Sequence, residues 1–362
     1  MGPIMSKLHP PEDPVIEGLR GLAAMLVLAT HYAHLITDQS GAWGFASTGV
    51  DLFFVLSGFV FAPYLVAKPL HYPAHLVRRL FRLYPLYLCA LALYVGLKPA
   101  ATAYDHIGSH LLMGHTLQSI EIASFYNPAF WSLPPEVEFY LALPLLVIAA
   151  RLLGVSCLVI AAVLGKLLLM ALADPLEQGL TYRAINMVHL PGLLVEFMLG
   201  CFAYCLGQKV LPWHRWVLVG CALLCLLGAE RMFTLFLVAG QATVGSLQFW
   251  VAGNMGLMAA IGYTLLVAGL AGLTVKSVGL LAVSSWAGRL SYGVYLFHNA
   301  IGQIVSQYAA PLRGWTAWIV QLACTLVLAA LLNVAVEAPA RRLGRRLANW
   351  LQQRSVPHLG LH

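Results

Sequence analysis

The segment IEGLRGLAAMLVLATHYAHL, residues 16–35, holds an arginine and a histidine in an otherwise apolar run. Arg20 and His31 are eleven residues apart, almost three helical turns, so a helix places them on one face roughly 16 Å apart along its axis. A histidine titrating near neutrality can take a proton from a hydroxyl and return it to a leaving group. A second cluster, HLVRRLFRLYPLY (75–87), gathers Arg78, Arg79 and Arg82. Arg79 and Arg82 share a helix face, a geometry suited to bidentate hydrogen bonds with phosphate oxygens. In FWSLPPEVEFYLALPLL (130–146), Glu136 and Glu138 follow a Pro134–Pro135 pair suited to a helix start, with Trp131 and Tyr140 nearby. One acid there complements the helix dipole, but two among aromatics exceed that need.

Other polar residues are less specific. Asp51 opens GVDLFFVLSGFVFA (49–62), where it either accepts a histidine N–H or, as we prefer, serves the helix N-terminus. Tyr295, His298 and Asn299 fall in GRLSYGVYLFHNAI (288–301), and Glu337 precedes four arginines in NVAVEAPARRLGRR (333–346). Plainer roles compete throughout. Arg20 can snorkel to lipid headgroups, His31 can be a satisfied interior histidine, and arginines are common at cytoplasmic helix ends.

The elements that must position these residues follow from composition. The chain has 362 residues, 60% hydrophobic and only 10% charged. A soluble domain carries about 25% charged residues, so this composition is that of a membrane protein. Its net charge of +7 would suggest a nucleic-acid partner in a soluble protein, but the distribution points to lipid instead and no nucleic acid is expected. The seven cysteines show neither a disulfide framework nor metal-ligand spacing, and no metal is expected.

Hydropathy and turn signals predict an all-α polytopic fold of about ten spans near 17–37, 49–67, 80–98, 136–152, 155–173, 190–208, 214–229, 247–272, 285–308 and 314–336. With the N-terminus in the cytoplasm, 16 of the 21 Lys and Arg residues fall inside, four outside and Lys166 within a span. The positive-inside rule therefore places both termini in the cytoplasm. The expected organisation is a tail over 1–15, a transmembrane domain over 16–340 and a basic tail over 341–362, whose arginines lie among lipid headgroups. Residues 230–246 either extend the seventh span or form a re-entrant piece. The 99–135 connection is expected at the membrane surface as a short amphipathic helix.

In order along the chain, GLRGLAAMLVLATHYAH, GVDLFFVLSGF, RRLFRLYPLY, WSLPPEVEFY, LSYGVYLFH and EAPARR resemble the motifs of acyltransferase family 3, a family of integral membrane proteins. The resemblance implies about ten spans, a cytoplasmic acyl-CoA donor used as co-substrate with no bound cofactor, and acceptors such as envelope polysaccharides, lipid-linked glycans or small secreted molecules. The family's arginine and histidine in the first helix match Arg20 and His31, its arginine pair matches Arg79 and Arg82, and its glutamate matches Glu136. One departure is Pro134–Pro135, where the family commonly has a small and an aliphatic residue.

These readings give an O-acyltransferase with His31 as general base, although a covalent acyl-histidine route also fits. Arg79 and Arg82, with Arg78, would hold the phosphates of acyl-CoA, expected to be acetyl-CoA, and Arg20 would line its path. Glu136 would stand at the acceptor entrance, with Asp51, Trp131, Glu138 and Tyr140 as acceptor-side or orienting residues. A carbohydrate or glycolipid acceptor and a bacterial inner membrane are expected. A proton-coupled transporter and an amine-acylating enzyme are the alternatives, and oligomeric state is not readable from the sequence.

Overall fold

A computed structural model describes residues 13–38, 41–173, 181–238, 254–308 and 312–354, which are helical with no strand among them. The long helices are α1 (Pro14–Tyr32), α2 (Gly49–Val66), α3 (Tyr72–Leu97), α4 (Leu133–Leu153), α5 (Val155–Leu172), α6 (Leu190–Gly207), α7 (Pro212–Val238), α8 (Met255–Leu270), α9 (Val278–Tyr308), α10 (Gly314–Leu332) and α11 (Ala338–Arg354). α1 through α10 each overlap one of the ten predicted runs, with bounds that differ by up to nine residues. Among the described residues six segments, Gly41–Val66, Tyr72–Leu97, Val155–Leu172, Tyr182–Gly207, Pro212–Leu235 and Gly314–Arg354, are long and apolar enough to cross a membrane.

Local chemistry explains the boundaries. Asp13 caps α1 by accepting the Val15 N–H (2.9 Å), with Pro14 at the first helical position. His71 caps α3 through the Ala74 N–H (3.3 Å), so that helix starts at Tyr72 rather than near residue 80 and the arginines lie inside it, not at its end. Gly154, at φ 84°, makes the one-residue corner between α4 and α5 that an L side chain would resist. α7 runs on to Val238, extending the seventh span, whereas residues 239–253, including the start of the expected eighth span, lie outside the described residues. The chain ends 1–12 and 355–362 lie outside them as well. A π-turn over Asn333–Glu337 leads into α11, so the basic segment is a helix packed on α3.

α1 packs on α9, α2 on α6 and α7 on α8. Gly58 and Gly200 make the α2–α6 crossing possible: a Cβ on Gly58 would strike the Phe197 carbonyl, and one on Gly200 the Val55 carbonyl. The exterior carries many large apolar side chains, and several charged or polar groups lie in the otherwise apolar interior. Leu164, Leu168, Leu224, Ile319 and Leu331 are exposed on the outside, while Arg20, Lys166, Glu196, His298 and Gln321 are buried.

The 99–135 connection is not one amphipathic helix. It breaks into short helices at Ile107–Leu111 and Ile120–Ala123 and tight turns around them. Its Tyr126, Phe130, His110 and His115 are buried, because it folds inward onto α3 and α9 rather than along a surface. Asn127 fastens it by donating to the Leu296 carbonyl (3.1 Å) while its own carbonyl accepts from Asn299 (2.8 Å).

Candidate active site

The face of α1 that carries Arg20 and His31 borders two chambers. The first, about 60 Å³, is lined by Arg20, Arg79, Arg82, Ser57, Glu136, Tyr140 and Tyr292 among others. The second, about 470 Å³, is lined by His31, Asp51, Trp131, Lys166, Asn186 and Glu196 among others. Val50 and Tyr295 line both.

In the arginine chamber, Arg20 is ion-paired with Glu17 one turn earlier on α1. Arg79 lies over the rings of Phe61 (4.6 Å) and Tyr140 (5.6 Å), and its Nε is buried without a hydrogen-bond partner. Among the described residues neither Arg79 nor Arg82 is in an ion pair, which leaves two half-buried guanidinium groups able to receive an anion. Arg78, on the same helix, does not line this chamber.

Glu136 belongs to the arginine chamber and not to that of His31. Leu133, Glu136 and Tyr140 fall on one face of α4, toward α2 and α3, and the Tyr140 hydroxyl donates to the Glu136 carboxylate. Ser57 of α2 donates to the same carboxylate at 3.5 Å. Glu138 is two residues on, about 200° around the helix, and so faces elsewhere. It accepts from His189 Nδ1 and from the Leu190 N–H, both at 2.7 Å, which anchors the start of α6. Its position accounts for a structural acid, and it lines neither chamber.

In the histidine chamber, His31 Nδ1 lies 2.9 Å from the Val27 carbonyl and 3.1 Å from His298 Nε2. Asp51 makes no hydrogen bond to His31; it faces Lys166 and Glu196 instead. Lys166 Nζ is 3.7 Å from the Glu196 carboxylate and donates to the Gly192 carbonyl at 2.9 Å. Trp131 presents an aromatic surface beside these carboxyl groups. An acid pair, an amide and an aromatic face can together hold a molecule rich in hydroxyls.

Between the chambers stands Tyr295, 4% exposed. Its hydroxyl is held by Ser132 Oγ (2.5 Å) and the Ala129 carbonyl (2.9 Å), and its ring meets Phe53 edge-on.

Sequence reasoning gave no role to Lys166, Glu196 or His298. A signal was present for the first two, since each is the sole charged residue of its apolar helix. Among the described residues there is no group of three metal-ligating side chains.

Comparison with known proteins agrees with the motif order. The family model described as Acyltransferase domain matches residues 13–337. Nodulation protein 10 of Rhizobium leguminosarum bv. viciae is 26% identical over 362 residues, covering 90% of this chain and 92% of that protein. Peptidoglycan O-acetyltransferase OatA of Listeria monocytogenes serovar 1/2a is 26% identical over 375 residues, covering 91% of this chain. The chain spans only 56% of that longer relative. No solved structure matches. With matching motifs in order, apolar helices that enclose buried charged groups and a family match across most of its length, the chain belongs to acyltransferase family 3 and is an integral membrane acyltransferase of groups other than aminoacyl groups.

Proposed function

We propose that the protein is a membrane O-acyltransferase that moves an acyl group, expected to be acetyl, from cytoplasmic acyl-CoA to a hydroxyl of a carbohydrate or glycolipid. The observation that carries this reading is the pair of chambers stacked along α1, one lined by Arg20, Arg79 and Arg82 and the other by His31, with Tyr295 shared between them.

In this reading α1 to α10 are ten spans with both termini in the cytoplasm of a bacterial inner membrane. Arg79 and Arg82 hold donor phosphates, and Arg20 lines the way along which the thioester arm extends toward His31. The acceptor occupies the histidine chamber, its sugar ring against Trp131 and its hydroxyls on Asp51, Glu196 and Asn186. Glu136 and Tyr140 act on the donor side, where they position the guanidinium groups.

His31 Nε2 removes the proton from the acceptor hydroxyl as its oxygen bonds to the thioester carbonyl carbon. The C–S bond then breaks, and the imidazolium returns the proton to the departing thiolate. Nothing is consumed beyond thioester and alcohol. The 26% identity with a peptidoglycan O-acetyltransferase supports an O-linked product.

The test is coenzyme A release by purified protein given acetyl-CoA and envelope glycan fragments. Equally folded His31→Ala protein should lose transfer entirely. Absence of thioester consumption in the wild type would favour a transporter, and acetyl groups found on amines would favour the N-acylating alternative.

A further inference from the structure

We propose that His298 is a positioning residue for His31: together with the Val27 carbonyl it holds the tautomer in which His31 Nδ1 carries the proton and Nε2 presents a lone pair to the histidine chamber. This rests on His31 as the general base.

The argument is a proton count across two rings. His298 Nδ1 lies 3.1 Å from the Val294 carbonyl. A carbonyl oxygen only accepts, so that nitrogen carries the hydrogen of a neutral imidazole and Nε2 is left bare. His298 Nε2 faces His31 Nδ1 at 3.1 Å, and the same His31 nitrogen faces the Val27 carbonyl at 2.9 Å. Both partners of His31 Nδ1 are therefore acceptors, and its hydrogen is shared between them. One neutral ring holds one such hydrogen, which leaves His31 Nε2 unprotonated. Among the described residues no protein group is hydrogen-bonded to that Nε2.

The pair is held rather than casual. The rings sit 4.8 Å apart and His298 is fully buried. Tyr32, the neighbour of His31, donates its hydroxyl to the His298 backbone carbonyl at 2.7 Å, so two donors of α1 hold the same residue of α9 at this level. Among the described residues no carboxylate is hydrogen-bonded to either ring. The arrangement does what the acid of a Ser-His-Asp triad does, orienting the base and holding its tautomer, with a neutral acceptor in place of an anion. A neutral partner suits this depth, because an unpaired carboxylate there would carry a desolvation cost that an imidazole avoids.

The test reads protonation directly. In protein labelled with ¹⁵N-histidine, resonances assigned with His31→Ala and His298→Gln should show a pyrrole-type Nδ1 and a pyridine-type Nε2 for His31. His298→Leu, which removes one of the two acceptors and leaves the Val27 carbonyl alone to hold the ring, should raise the share of the opposite tautomer and lower turnover about 100-fold, a loss in the range for positioned acid–base groups, with the KM for acetyl-CoA unchanged. His298→Gln, which restores an acceptor oxygen near the same place, should recover most of both. A protonated Nε2 in the wild type, or a tautomer unchanged in His298→Leu, overturns the proposal. If His298→Leu does not fold, the wild-type and Gln spectra still decide. An active His31→Ala protein alongside the expected spectra would instead remove the base assignment and leave the pairing intact.

Discussion

Arg20 and His31 share a face of α1 yet line different chambers, and Tyr295 borders both. Eleven residues of helix therefore separate a chamber lined by three arginines from a histidine that lines a larger space. On the proposed reading, a donor anchored by its phosphates at one end reaches past Tyr295 to react at the other. The helix sets that span at roughly 16 Å, and the groups of the proposed reaction are divided between the two chambers.

The donor assignment is tested first by the arginines. Each of Arg79→Ala and Arg82→Ala removes a charge-assisted contact worth about 1.5–3 kcal/mol, so the apparent KM for acetyl-CoA should rise about tenfold or more while turnover changes less. Coenzyme A release against donor concentration reads this. Unchanged affinity in the double variant would count against phosphate binding at this pair.

Tyr295 should matter for coupling rather than for binding. Tyr295→Phe keeps the ring and loses the contacts to Ser132 and Ala129, an expected stability loss of about 1 kcal/mol with transfer retained. Tyr295→Ala joins the chambers, so water from the larger one should reach the thioester and acceptor-free coenzyme A release should rise. In a folded variant, acceptor-free release equal to the wild type would show that Tyr295 does not separate the two spaces.

Much of this was legible from pattern because each inference stayed within one helix. Apolar runs of about 20 residues located α1 to α10, and helical spacing put Arg20 with His31 and Arg79 with Arg82. What pattern could not supply was the choice of neighbour. Glu136 and Glu138 look equivalent in sequence, yet their two-residue offset sends one to the arginines and the other to His189. Lys166 and Glu196 sit alone on separate helices, and only the packing of α5 against α6 pairs them. His298 meets His31 across 267 residues of sequence, a separation no local periodicity spans.

That Lys166–Glu196 pair makes a further prediction. Both side chains are buried, so Lys166→Met leaves Glu196 and Asp51 facing each other without a cation, at a cost of about 3–5 kcal/mol. Adding Glu196→Leu should recover most of the lost thermal stability in the same detergent. Strictly additive losses in this double-mutant cycle would show that the two groups are not coupled.

The connection over the histidine chamber should weaken in acid. His110 and His115 stack at 4.3 Å and are both fully buried. Burial, and then the neighbouring His115, pushes His110 down to about 4; burial lowers His115 as well. Once the loop opens, both rings return toward about 6.5, so the open form binds more protons between these values. Loop stability is thus complete above about pH 6.5 and declines as pH falls toward about 4. Amide exchange over residues 107–132, corrected for intrinsic rates, should be faster at about pH 5 than at about pH 7, and His110→Gln should flatten the difference. Because Asn127 ties this loop to the α9 turn that carries His298, acyl transfer should fall over the same range. Protection that does not change with pH would mean that the stacked pair stays closed, and that any acid loss of activity arises elsewhere.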